Sequence, residues 1–357
     1  MINPEFWHGK RVFITGHTGF KGAWLSLWLG ELGATVKGYS LPAPTNPNLF
    51  AVANVSLGMN SEIGDVRDFE HLYTSIEEFR PEIVFHLAAQ PLVRYSYRNP
   101  LETYSTNVMG TVHLLEAIRL VGGVKAVVNI TSDKCYENRE WIWAYRENEA
   151  LGGYDPYSNS KGCAELVTSA YRNSFFNIND YSHHGTALAS ARAGNVIGGG
   201  DWAEDRLVPD ILQSFQNNRP VLLRNPRAIR PWQHVLEPLS GYLLVAQYLY
   251  LDGLAFAESW NFGPNHDDAK SVQYIVDKMV KLWNNGASWQ LDGDVHPHEA
   301  NYLRLDCSKA KSRLGWRACW DLSSTLERIV LWQKAWLDGK DMREYSLREI
   351  RDVMVLV

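Results

Sequence analysis

Arg11-Val-Phe-Ile-Thr15 runs directly into Gly16-His-Thr-Gly19-Phe-Lys-Gly22, and this junction constrains the fold more than any other stretch. A short apolar run rich in β-formers reads as a buried strand. Behind the glycines, Ala23, Leu25, Leu27, Trp28, Leu29 and Leu32 follow a helical spacing. Strand, glycine turn and helix in that order open an α/β sheet, with backbone amides able to approach a phosphate at the helix N-terminus. The candidate ligand contacts are Gly16, His17, Thr18, Gly19, Phe20, Lys21 and Gly22. The spacing is G-x-x-G-x-x-G rather than the usual G-x-G-x-x-G, so by itself it also suits a glycine loop that holds nothing.

The chain then repeats the pattern. Ala34 to Tyr39 reads as a second strand, ending at Ser40, where a dinucleotide fold usually places an acidic residue for a ribose or an arginine for a 2′-phosphate. Lys37 is the nearest charge, which leaves NAD and NADP both open. Asp65, beside Val66, is a candidate for an adenine edge or a helix cap. Ile83 to Ala89 reads as a fourth strand whose small-residue end, Leu87-Ala88-Ala89, suits a backbone passing close to a cofactor. Asn107, ahead of a helix from Val112 to Leu120, is a structural bridge or a plain polar helix residue.

Ala126 to Ile130 forms a fifth strand ending in Thr131-Ser132-Asp133-Lys134. Ligands in α/β sheets lie beyond the carboxyl ends of the strands, so a hydroxyl, a carboxylate and an amine here suit acid-base chemistry. The alternative is a turn capped by Ser132 and Asp133. Tyr157 and Lys161 follow, four residues apart at the start of a helix and therefore on one face. A cation near a phenol pulls its pKa below the ordinary value of about 10, making Tyr157 a candidate general base.

Composition narrows the class. With 357 residues, 45% hydrophobic and a net charge of -5, the chain is long enough for two units and shows no basic nucleic-acid footprint. The start is polar rather than a signal sequence, and the longest apolar run, Leu239 to Leu251, is too short to span a bilayer. Four cysteines without C-x-x-C spacing read as reduced thiols in a cytoplasmic protein. Asp294, His298 and Glu299 sit close together but read as a solvated loop, and no metal is expected.

The glycines Gly16, Gly19 and Gly22, the Ser132 strand tip and the Tyr157/Lys161 pair occur in an order that resembles the extended short-chain dehydrogenase/reductase family over nearly the whole chain. Leu87-Ala-Ala-Gln90, Asn107-Val-Met-Gly-Thr111, Arg192-Ala-Gly-Asn195-Val-Ile-Gly198, Arg230-Pro-Trp-Gln-His-Val235 and Asn261-Phe-Gly-Pro264 match as well. Within the family the sequence is similar to the nucleotide-sugar 4,6-dehydratases, which carry Thr/Ser-Asp-Glu at this strand tip. Here Lys134 replaces the glutamate that normally removes the C5 proton. Together with Gly16 to Trp24 and Gly199-Gly-Asp-Trp202, that departure most resembles the branch acting on CDP-glucose.

The resemblance implies NAD as cofactor and a catalytic set of Ser132, Asp133, Lys134, Tyr157 and Lys161. Tyr157 would take the C4 hydroxyl proton, helped by Ser132 and Lys161, and Tyr157 and Lys161 would also line the cofactor site, with Lys161 binding the ribose. Lys134, which must be neutral, would abstract C5-H, and a protonated Asp133 would give its proton to the departing C6 hydroxyl. Gln90, Asn195, Arg206, Arg230, His234 and Arg304 match substrate positions, and the family implies a homodimer through helices near Asn107 and Tyr157. Two other readings share Tyr157 and Lys161: a nucleotide-sugar 4-epimerase or reductase, and a non-catalytic dinucleotide sensor on the same fold.

The expected architecture is a Rossmann-type, doubly wound parallel sheet with a smaller C-terminal α/β substrate lobe. Residues 1–191 and about 229–265 are assigned to the NAD-binding unit, and 192–228 with 266–357 to the nucleotide-sugar unit. Leu207 to Phe215 and Leu322 to Trp336 read as helices. The charged tail after Gly339 has no role legible in sequence.

Overall fold

A computed structural model of the chain describes residues 1–292 and 302–357. The strands are β1 Arg11–Thr15, β2 Thr35–Ser40, β3 Asn60–Ile63, β4 Ile83–His86, β5 Ala126–Ile130, β6 Ala187–Ala193, β7 Asn195–Ile197, β8 Val221–Leu223, β9 Ile229–His234, β10 Ser259–Phe262, β11 Ala269–Ser271 and β12 Trp289–Leu291. Seven of them form one sheet in the order β10-β6-β5-β4-β1-β2-β3. Every pairing in it is parallel. Chain order reverses between β1 and β4, the switch point where this kind of sheet opens a crevice at its carboxyl edge.

Parallel strands covered on both faces need continuous apolar runs, and β4, β5 and β6 are buried at every residue. The helix Phe20–Glu31 is buried on nearly all sides, Trp24 and Trp28 included. It lies between the sheet and the C-terminal helix Met342–Met354, to which Glu31 is tied by Arg351 at 2.6 Å. The charged tail is therefore a covering element. Its buried positions Met342, Ile350 and Val353 join the main core, each side chain worth about 1.5–3 kcal/mol of burial.

A second core, with Ile211, Phe215, Trp232, Ile275, Met279 and Leu326 among its members, holds a smaller lobe. Two short sheets accompany it, β11-β9-β7 and β12-β8. Chain and lobe divide differently from the expected boundaries. The assumed break at 192 falls inside β6. β9 lies between β11 and β7 rather than in the large sheet. The helix Leu236–Leu251 and β10 pack in the large core, the unit to which about 229–265 was assigned, but Trp316 and Trp332, assigned to the smaller unit, pack there too. Sequence order alone cannot show such exchange, because the chain crosses between the two cores several times.

Candidate active site

The carboxyl ends of β1, β4 and β5 meet at one crevice. Thr15 at the end of β1 holds His86 of β4, with Oγ1 and Nδ1 2.7 Å apart, and accepts the Ala88 N–H at 3.2 Å. This contact draws the glycine loop against Leu87-Ala88-Ala89. Gly16 has φ +80, and a Cβ there would lie 2.7 Å from the Ala88 nitrogen. A Cβ on Gly22 would lie 2.1 Å from the Gly16 carbonyl oxygen. The first and third glycines thus serve close backbone approach.

Gly19 is different: a Cβ there would meet nothing nearer than 3.4 Å. It forms the N-cap of Phe20–Glu31 without any side-chain cap, and no acidic residue occupies the first turn. Amides at such a terminus favour an anion. Lys21 stands in that turn, its pKa pushed down to about 7 by burial and by the charges of Lys161 and Arg206, with Asp133 opposing. The residues present fit the pyrophosphate of a dinucleotide. Phe20 instead packs toward Gly198 at the entrance to the smaller lobe.

The surrounding loop is fixed by side chains. His17 is buried, with Nε2 2.7 Å from the Ser61 hydroxyl, and burial lowers its pKa to about 4. Thr18 Oγ1 lies 2.8 Å from Ser40 Oγ and donates to the Leu41 carbonyl. No carboxylate stands at the Ser40 position. Asp65 is gripped by Arg67 through the guanidinium and the backbone N–H. The cap of the following helix is Asp68, so the capping alternative for Asp65 does not hold. Val66 is buried and its carbonyl faces His113.

Asn107 is a bridge. Its carbonyl accepts the Gln90 N–H at 2.8 Å, and its amide donates to the Gln90 carbonyl and the Ser160 hydroxyl. Both its donors are used, and it lies in a π-turn, Ser105–Met109, that no sequence signal announces. Gln90, matched to a substrate position, spends its amide on Thr103 and its carbonyl on the Leu92 N–H. Both residues position backbone next to the crevice.

At the β5 tip, Ser132, Asp133, Lys134, Tyr157 and Lys161 come together. Ser132 donates to Asp133 at 3.0 Å and hydrogen-bonds the Tyr157 phenol. Burial raises the pKa of Asp133 against the opposing charges of Lys134 and Arg230. Tyr157 opens the helix Pro156–Ser174, capped by Asp155. The expectation that Lys161 lowers the phenol pKa is corrected: burial pushes Tyr157 up to about 12, and the opposing influences are Ser132 and Arg206. Lys161 points instead toward the Ile130 carbonyl, 3.5 Å away, and burial lowers it to about 8.

The outer positions divide. Arg206, held by Asp201 at 2.9 Å, acts through its charge on Tyr157, and Arg230 on Asp133. Asn195 opens β7 in register with Trp232. Arg304 sits over the Tyr302 ring at 5.1 Å with its Nε buried. His234 is corrected outright: it is wholly buried, packed edge-on to Trp24 and Trp320 at the end of β9. A side chain with no exposed surface, between those rings and Glu349, is not open to a nucleotide sugar. Among the described residues no group of His, Cys, Asp and Glu could hold a metal ion. Asp294, His298 and Glu299 lie outside the described residues.

Sequence reasoning missed what lies beneath. Glu165, one turn beyond Lys161, is buried and paired with Arg192 of β6 at 2.7 Å. It also accepts from Thr131, next to Ser132, and from Ser190 at 2.7 Å. Arg192 donates in turn to the Tyr136 hydroxyl at 2.7 Å. The i, i+4 spacing from Lys161 was the available signal.

Residues 13–329 match the family described as GDP-mannose 4,6 dehydratase. CDP-glucose 4,6-dehydratase of Salmonella typhimurium is 69% identical over 354 residues, covering 99% of each chain. UDP-glucose 4-epimerase of Mycolicibacterium smegmatis is 33% identical over 57% of this chain and 72% of its own. The crystal structure of dTDP-glucose 4,6-dehydratase from Bacillus anthracis in complex with NAD superposes with a TM-score of 0.75 at 21% identity, covering 93% of this chain and 99% of that one.

Proposed function

Because the chain belongs to the GDP-mannose 4,6-dehydratase family, we propose that the crevice performs an internal oxidation, elimination and reduction on a nucleotide sugar. The protein is an NAD-dependent lyase that converts CDP-glucose to CDP-4-keto-6-deoxyglucose and water, a step in deoxysugar biosynthesis. The observation that carries this reading, beside the 69% identity to a CDP-glucose 4,6-dehydratase, is the Tyr157–Ser132–Asp133 contact chain with Lys134 at the same strand tip.

When bound, NAD would supply hydride acceptance at C4 and hydride return at C6. The glycine loop and the uncapped helix terminus would hold its pyrophosphate, with Lys21 beside them, and Lys161 would bind its ribose. Tyr157 takes the C4 hydroxyl proton, and Ser132 steadies the same oxygen. Arg206 offsets part of the burial that keeps the phenol protonated. The C4 carbonyl acidifies C5-H, and Lys134 receives that proton. Asp133, held toward its neutral form by burial, gives a proton to the leaving C6 hydroxyl. Arg206 and Arg230 attend the substrate's diphosphate, which suits their bidentate donors.

No helix among the described residues is long and apolar enough to cross a membrane. All four cysteines are free, which supports a reducing compartment and hence the cytoplasm. Leu101, Met109, Leu166 and Phe175 are exposed around the helices near Asn107 and Tyr157, which supports a homodimer formed there. A product destined for surface polysaccharide fits a 6-deoxysugar.

The test is product analysis with CDP-, UDP-, dTDP- and GDP-glucose in turn. Loss of water from CDP-glucose alone or by a wide margin is the expected result. Epimerised sugar without water loss would instead favour the epimerase.

A further inference from the structure

We propose that Glu165 and Arg192, which the reaction above does not use, are positioning residues that hold Lys161 for the cofactor. The inference rests on the NAD reading. Glu165 lies on the same helix face as Lys161, one turn further along, and both side chains are buried. Its carboxylate joins three strands' worth of structure: Thr131 after β5, Ser190 and Arg192 in β6, and Ser259 of β10 at 3.4 Å. The catalytic helix and the β5 tip are thereby pinned to each other through a single carboxylate.

The pair also sets charge. Burial works against a carboxylate at this depth, but Arg192, Thr131 and Ser190 outweigh it and hold Glu165 ionised. Burial likewise disfavours the Lys161 ammonium, and Glu165 is the principal group opposing that loss. The other groups facing Lys161 are Cys135 on the turn after β5, Lys21 on the glycine-loop helix and His86 on β4. Lys21 is a like charge, and His86 is held neutral by burial, its pKa lowered to about 3. Glu165 is thus the one carboxylate near the Lys161 ammonium in this set, and Arg192 keeps that carboxylate in place.

The test is NAD affinity measured by titration from about pH 6 to about pH 9 for wild type, Glu165→Gln and the double variant Glu165→Gln/Arg192→Met. Each variant is expressed as a ratio to wild type at the same pH, which cancels titrations common to both. Glu165→Gln should match wild type within a few-fold at the acid end and fall about tenfold or more behind at the alkaline end, a shift of about one pH unit. The double variant removes an opposing cation as well, so its alkaline loss should be smaller, and it avoids leaving a buried arginine unpaired should the single variant not fold. A ratio that is flat with pH, whether reduced or unchanged, would overturn the proposal. Wild-type binding tests the cofactor reading separately.

Discussion

The Ser132 hydroxyl lies 3.0 Å from the Asp133 carboxyl group. The same hydroxyl hydrogen-bonds the Tyr157 phenol. The group assigned to the C4 oxygen and the group assigned to the C6 oxygen are therefore joined through one serine. Oxidation and elimination can be separated by mutation only if that junction is kept intact.

Asp133→Asn keeps the shape and removes the acid. Overall turnover should fall about 10²–10⁴-fold. C4 oxidation should survive, so NADH absorbance should build up in a single turnover rather than vanish. Loss of the NADH transient together with turnover would mean that Asp133 serves oxidation instead.

Lys134→Met should abolish exchange of C5-H with solvent while leaving the NADH transient. Lys134→Glu restores the residue type usual at this tip in the resembling dehydratases and should retain more activity than Lys134→Met. Deuterium incorporation at C5 checks both. Unchanged exchange in Lys134→Met would assign the C5 proton to another base.

Lys21 titrates at about 7 in the ligand-free protein, depressed first by burial and then by Lys161 and Arg206. A pyrophosphate favours its charged form, so NAD binding should take up a proton near pH 7–8, and affinity should weaken as pH rises through that range. Calorimetry in buffers of different ionisation enthalpy measures the uptake. Lys21→Met should bind less tightly and take up less.

Glu349 in the C-terminal helix is buried with Oε2 unpaired, 3.8 Å from His234 Nε2. Burial raises its pKa to about 8, against the charge of Arg328 and with that of Asp352. The unfolded value is about 4.3. The folded chain thus binds a proton that the unfolded chain releases between these values, so this group's stabilisation is present at low pH and is lost as pH rises through about 8. Glu349→Gln should raise Tm by several degrees at about pH 8 and by much less at about pH 5. Equal effects at both would contradict the assignment.

The first strand, glycine turn and helix were legible because periodicity and glycine placement act locally. β5 lies at the residues expected, and the helices Leu207–Gln216 and Leu322–Leu337 start where expected and end one residue later. What local pattern cannot carry is which core a segment joins, and β9 and the C-terminal helices show it. His234 sits in a segment matched to substrate contacts, yet Trp24 and Trp320, over two hundred and nearly ninety positions away, wall it off. Tyr157 and Lys161 share a helix face as their spacing requires, but the balance of burial against charge depends on Arg206, which only the fold brings near. The Glu165–Arg192 pair was hidden for the same reason: each half is an ordinary charged residue until β6 and the catalytic helix meet.

The most direct test is to incubate the purified protein with CDP-glucose and a catalytic amount of NAD in heavy water, following the sugar by mass and NMR. The expected result is CDP-4-keto-6-deoxyglucose carrying solvent deuterium at C5, formed in large excess over the NAD supplied. Turnover without loss of water, or dehydration without label at C5, would contradict the account.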